Sequence, residues 1–330
     1  MALVVAERGP FGARLVAVDE TGDRQFIAVR EPGDAQLVRD THPTISPDGT
    51  WIVFASSRGR GSLAETSLWI APLGVEQPAR RLTRDAIDAH PQWASDGSYL
   101  VYASAAPGGR FDLMRLAMRD GRAVGDPVRL TSAPGNEVTP SIATDGTIVY
   151  TSVSAADGAT VDSHLEQRAP DGTITRITDG PADSAPAISP DGKLLAFARP
   201  GIANGRTSTE LWLLPHGATE PTAVVGLPLT DEGGPVWSRD GRFLFATSVM
   251  VGEAGVLFSS VIHVDITEPV RHARMLVDRA GAVARLTPAM GTPVLDARVL
   301  KEDPEYLSEL ARIMARALEK RAVEAEEAPP

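Results

Sequence analysis

Five times this chain writes a proline, four residues, an Asp-Gly pair and then an apolar run. The copies start at Pro43, Pro91, Pro140, Pro186 and Pro235, with their acids at Asp48, Asp96, Asp145, Asp191 and Asp240. Those acids lie 48, 49, 46 and 49 positions apart. A period of that length, filled with short apolar strands and turn residues, predicts an all-β β-propeller with one four-stranded blade per repeat.

The best copy sets the template. An inner strand at 44–46 leads into the Pro47-Asp48-Gly49 turn, where Asp bonds its own backbone and Gly supplies a positive φ. Apolar strands at 51–56 and 67–71 follow, and an outer strand ends on Leu82-Thr83. That ending returns at Leu130-Thr131, Ile177-Thr178, Leu229-Thr230 and Leu286-Thr287. The first 40 residues lack the Pro…Asp-Gly entry, yet they carry strand-like runs at Leu3–Ala6, Arg14–Val18 and Gln25–Val29. They read as a first blade without its innermost strand, which a strand at Thr292–Leu295 supplies from the other end of the chain. Such a clasp removes open sheet edges. The expectation is a six-bladed propeller over residues 1–300, closed by N- and C-terminal strands.

The pattern changes after residue 300. Asp303 suits an N-cap and Pro304 the first helical position. Leu307, Leu310, Met314 and Leu318 recur at steps of three and four, which predicts an amphipathic C-terminal α-helix. Residues 301–330 thus read as a helix with a disordered acidic end, and the helix is a candidate for docking a partner.

The net charge of −11 and pI near 5.1 argue against a nucleic-acid partner or an anionic membrane surface. No apolar run approaches the roughly 18 residues of a membrane span. Cysteine is absent, which excludes disulfides and thiolate metal sites. The start, Met1–Arg8, lacks the basic region and long apolar stretch of a signal peptide. An exported form of the protein would have had its signal removed.

The run from Pro43 to Ser56, with Leu68-Trp69 and Leu82-Thr83, resembles the TolB-type, WD40-like PD40 repeat; Pro186 to Phe197 with Leu211-Trp212 is similar. The resemblance covers roughly residues 1–300. It implies a six-bladed propeller of the bacterial envelope, periplasmic or secreted, that binds other proteins, although a cytoplasmic location is compatible with the composition. The same repeats occur in propellers that gate prolyl-oligopeptidase-type serine peptidases. The Gly-x-Ser-x-Gly elbow of that chemistry does not occur in this sequence.

Three residues before each repeat proline stands an acid: Asp40, Asp88, Glu137, Asp183 and Glu232. On a propeller, equivalent positions form a ring about the axis. Converging carboxylates suit a hard cation such as Ca2+ as a possible cofactor, a cationic partner segment, or plain loop caps that accept backbone N–H bonds. Directly before the prolines stand His42, His90, Thr139, Ala185 and Gly234. The two histidines with Thr139 form a candidate polar lining for a ligand. Two histidines with no third make a poor transition-metal site. His164 and His263 read as facing solvent or closing local bonds, Arg58, Arg60 and Arg110 as solvated loop residues, and Trp69, Trp93, Trp212 and Trp237 as inter-blade core. The expectation is a monomeric, non-catalytic scaffold that binds a protein or peptide segment at the channel mouth. The alternative is a metal-dependent lyase or hydrolase using His42, His90 and the ring carboxylates.

Overall fold

In the computed structural model the described residues are the strands at 2–9, 12–19 and 24–27 and, with short gaps, residues 38–288; the longest gaps are 225–233, 252–256 and 276–284. The chain divides into a compact unit Met1–Gly291 and a second unit Thr292–Pro330. Glu232, the strand expected at Thr292–Leu295 and the helix expected beyond residue 300 all lie outside the described residues.

The first unit is all β, and it is a propeller. An N-terminal three-stranded sheet runs β1 (Ala2–Gly9), β2 (Gly12–Asp19), β3 (Arg24–Ile27). Five blades follow. The first is β4 (Asp40–Ile45), β5 (Trp51–Ser56), β6 (Ser67–Pro72), β7 (Arg80–Arg81). The second is β8 (Ile87–Trp93), β9 (Tyr99–Ala105), β10 (Asp112–Arg119), with β11 (Arg122–Ala123) and β12 (Val128–Arg129) both on β10. The third is β13 (Asn136–Ile142), β14 (Ile148–Ala156), β15 (Thr160–Arg168), β16 (Ile174–Arg176). The fourth is β17 (Ser184–Ile188), β18 (Leu194–Ala203), β19 (Arg206–Pro215), β20 (Thr222–Ala223). The fifth is β21 (Val236–Trp237), β22 (Phe243–Val251), β23 (Leu257–Asp265), with β24 (Arg274–Met275) and β25 (Arg285–Pro288) on β23. Each blade is an antiparallel meander. The fourth blade corrects one expectation: its outer strand is Thr222–Ala223, and Leu229-Thr230 lies outside the described residues.

The Asp-Gly turns work as the sequence predicts. Asp48 accepts the Thr50 N–H (3.1 Å) and the Ser46 hydroxyl (2.5 Å), and Gly49 sits at φ 75°. Asp96, Asp145, Asp191 and Asp240 accept the N–H two residues on at 2.9–3.1 Å. The hydroxyl of Ser46, and in the fourth blade that of Ser189, leads the bonds that hold Asp48 and Asp191 down to about 2.

Each apolar core lies between two sheets. Ile52 and Phe54 of β5 face the N-terminal sheet, where Leu15 meets them, while Val53 and Ala55 face Leu100 and Tyr102 of the second blade. Val101 and Ala103 turn the other way, toward Ile148 and Tyr150 of the third. A strand with neighbours on both faces must be apolar at every position, so these runs do not alternate. Trp93 lies in the core between the first two blades, and Trp69, Trp212 and Trp237 pack against neighbouring cores. The innermost strands β4, β8, β13, β17 and β21 touch in sequence, while β1 touches both β4 and β25.

Candidate functional site

The inner strands share a defect that the repeat proline causes. In β4, Asp40 and Thr41 pair with Ser56 and Ala55, then the register slips and resumes at Thr44 opposite Val53. The same slip falls at Ala89/Gln92, Val138/Ser141 and Ser184/Ala187. Proline has no N–H for the ladder, so the chain makes a bulge there. The preceding residue takes a left-handed backbone: His42 and His90 at φ 52°, Thr139 at 49° and Ala185 at 50°. Each costs about 1–2 kcal/mol for a residue with a Cβ. In the fifth blade the position is Gly234.

A bulge re-aims a side chain. Here it brings the His42 and His90 side chains of neighbouring blades together. The rings of His42 and His90 lie 3.9 Å apart between centroids, at 44°. The Thr139 hydroxyl is 2.6 Å from that of Thr151, which also accepts the Ala185 N–H at 3.0 Å. A Cβ on Gly234 would sit 3.0 Å from that of Ala185. All five residues are partly exposed. Burial pushes His90 down to about 4, so its ring is neutral at neutral pH, and its Nδ1 has no hydrogen-bond partner among the described residues. The neutral imidazole of His90 and the hydroxyl of Thr139 offer uncharged donors and acceptors, which suit amide groups.

The acids occupy a different place. Asp40, Asp88, Glu137 and Asp183 are buried, two residues before the bulge. The main chains of Asp88, Glu137 and Asp183 sew their blades to the ones before them. Asp88 N–H bonds Thr66 O (2.9 Å), Glu137 N–H bonds Phe111 O (2.8 Å), and the Ser163 hydroxyl bonds Asp183 O (2.8 Å). Their side chains are engaged locally. Asp40 meets Arg58 at 2.7 Å, and Asp183 takes two bonds from Arg199, at 2.6 and 2.9 Å. Both arginines lie against aromatic faces, Arg58 on Phe54 and Trp69, Arg199 on Phe197 and Trp212. Asp88 accepts from Ser104 (2.6 Å) and Glu137 from Thr131 (3.2 Å). Burial raises Asp88, against the pull of its hydroxyls. Burial also pushes Glu137 up to about 7, with the charges of Asp112 and Glu166 adding to it. Among the described residues no three His, Asp or Glu side chains form a group that could hold a metal ion.

One residue is not where the sequence puts it. Arg58 is not solvated; it is buried on Asp40. His164 takes the second of its two expected roles and closes local contacts, buried between Glu166 (3.3 Å) and Asp162 (3.2 Å). The threonines that end the outer strands also do more than mark a boundary. Thr83, Thr131 and Thr178 accept the N–H of Leu68, Leu113 and Leu165 at 2.8–3.0 Å, and their carbonyls take Nε of Arg81, Arg129 and Arg176. The recurring Arg-x-Thr spacing is the signal that marks them.

The family description "TolB beta propeller domain" (PD40) matches residues 20–215, more than half of the chain. The chain belongs to the TolB β-propeller family. Its fold is similar to that of TolB from Acinetobacter baumannii, at 15% identity and a TM-score of 0.59, covering 83% of this chain and 64% of that one. A putative TolB from Agrobacterium tumefaciens is similar at 18% identity and 0.55, covering 77% and 84%. A puromycin-hydrolyzing peptidase from Mycobacterium tuberculosis is similar at 15% and 0.53, covering 87% of this chain and 47% of that one. At these identities the likeness is one of fold. The chain spans less than two thirds of the first of these proteins and under half of the peptidase. No curated protein matches the chain in sequence.

Proposed function

We propose that this TolB-family propeller is a non-catalytic scaffold that receives a protein or peptide segment at the mouth of its central channel, with His42, His90 and Thr139 as polar contacts. One observation carries the reading. The propeller needs no imidazole at the bulge, because Ala185 and Gly234 serve the same position in other blades, yet two neighbouring blades place partly exposed histidines in ring contact there. The reading rests on the histidine pair and the Thr139 hydroxyl and not on a Ca2+ ion, for which the four described ring acids form no common ligand set. The alternative of a metal-dependent lyase or hydrolase would need a third ligand beside the histidine pair, where the equivalent positions are Thr139, Ala185 and Gly234. Stoichiometric Mn or Zn in the purified protein would favour it.

Six blades belong to the same reading. What supports them is the three-stranded sheet β1–β3, whose first strand touches both β4 and β25. A periplasmic or secreted location rests on family membership, and cell fractionation checks it. Binding is tested by selecting peptides from a displayed library against the wild-type protein and titrating them into His42→Ala/His90→Ala. Ala185 shows that alanine fits the bulge, so the variant folds. The selected peptides are expected to lose about tenfold or more in affinity, the loss of one to two hydrogen bonds. Equal affinity for both proteins would remove the channel histidines from the function.

A further inference from the structure

We propose that the hairpin joining β10 to β11 is a docking surface for an acidic protein segment, separate from the channel. Its register sets Arg119 directly opposite Arg122. Like charges facing each other across two strands destabilise a hairpin. Among the described residues neither arginine is ion-paired to a carboxylate. A third arginine comes from the neighbouring blade: Arg80 of β7 bonds the carbonyl of Gly121 at the hairpin tip, and the charge of Arg122 reaches it. Arg115 lies farther along the same strand, its guanidinium 4.3 Å above the Tyr99 ring.

The hairpin is fixed rather than free to spread its charges. Asp120 and Gly121 turn it with φ 49° and 70°. A Cβ on Gly121 would meet the Trp51 ring at 2.5 Å, so the tip lies flat on the first blade and only glycine fits. Two apolar side chains flank the arginines in the open: Val124 is 44% exposed, and Val128, opposite Arg115, is 58% exposed. Exposed acids are fewer, with Asp120 and Asp126 in the loop and Asp96 toward Arg115. A held cluster of guanidinium groups beside exposed valines has the composition of an interface centre, where arginine is enriched.

The occupant follows from charge. Guanidinium forks match carboxylates. The chain as a whole, at −11, repels polyanions such as nucleic acid or an anionic bilayer, which press against a wide surface. A short segment carrying Asp or Glu with an apolar residue between them fits the local cluster and avoids the acidic surroundings.

The test uses a fluorescein-labelled peptide of alternating Glu and Leu, followed by fluorescence anisotropy on the full chain. Binding is expected at low ionic strength and should weaken as salt rises. Arg122→Glu should weaken it by about tenfold or more. The same variant should melt higher than wild type, because Arg119 then faces an opposite charge. Arg239→Glu, an exposed charge in the turn of the fifth blade, should leave binding unchanged. If Arg122→Glu does not fold, Arg122→Gln is read in its place. The proposal is overturned if wild type does not bind, if Arg239→Glu weakens binding equally, or if phosphatidylserine vesicles or a single-stranded oligonucleotide bind as tightly as the peptide.

Discussion

Glu137 and His90 both resist charge, and they do so with opposite consequences for stability. Burial leads in both, because a side chain largely shut off from water favours its neutral form. Glu137 is pushed up to about 7 from an ordinary 4.5, so the folded chain keeps a proton that the unfolded chain releases. Stability from this group falls as pH rises from about 4.5 to about 7 and is level beyond. His90 is pushed down to about 4 from 6.5, so the unfolded chain takes up a proton that the folded chain refuses. Its contribution falls as pH drops from about 6.5 to about 4. The two slopes oppose each other over most of this range, and differences between variants separate them. The melting temperature of Glu137→Gln minus that of wild type should climb between pH 4.5 and 7. For His90→Ala the same difference should climb as pH falls from 6.5 to 4. Below these windows Asp48 and Asp191, held at about 2, make both variants and wild type lose stability together from about pH 4 downward. Melts across pH 2–8 check all three windows; superimposable curves would show that neither buried group titrates as its surroundings demand.

Between elements, the buried Asp183–Arg199 pair ties the segment entering β17 to β18 with two bonds, and Gly180 leaves room for it, since a Cβ there would strike the guanidinium. Removing one partner of such a pair leaves a buried charge. Arg199→Met should therefore cost about 3–5 kcal/mol, while Arg199→Met with Asp183→Asn should recover most of that. Urea denaturation of the two variants measures it, and equal losses would mean that packing on Trp212 matters more than the charge. The pair shows what the sequence could and could not reveal. The Asp-Gly turns are legible because Asp191 and Gly192 act on their own neighbours. The acid at Asp183 is legible as a repeat, but its partner lies 16 residues away and differs between blades: Arg199 here, Ser104 for Asp88. Arg58 reads as a loop residue because nothing local shows that the loop folds back over Phe54. The bulge is hidden for a further reason. A residue before proline normally prefers an extended backbone, and His42, His90, Thr139 and Ala185 all take the opposite choice.

Across the whole molecule, each sheet is stable only through the sheets beside it, since every core lies between two of them. The first and last sheets then set the weakest point. Leu15 is a contact of the N-terminal sheet with the first blade, fully buried among Ile52, Phe54, Ala71 and Ala79. Leu15→Ala removes that plug at a cost of about 2–5 kcal/mol. The loss should fall on one joint, because the cores between the later blades share no residue with it. Limited proteolysis separates a local from a general effect. Leu15→Ala should speed the first cuts within residues 1–40 and leave the cutting rate within β8–β18 near that of wild type. Equal acceleration throughout would mean that the sheets unfold as one cooperative body, with the N-terminal sheet bound as firmly as any other.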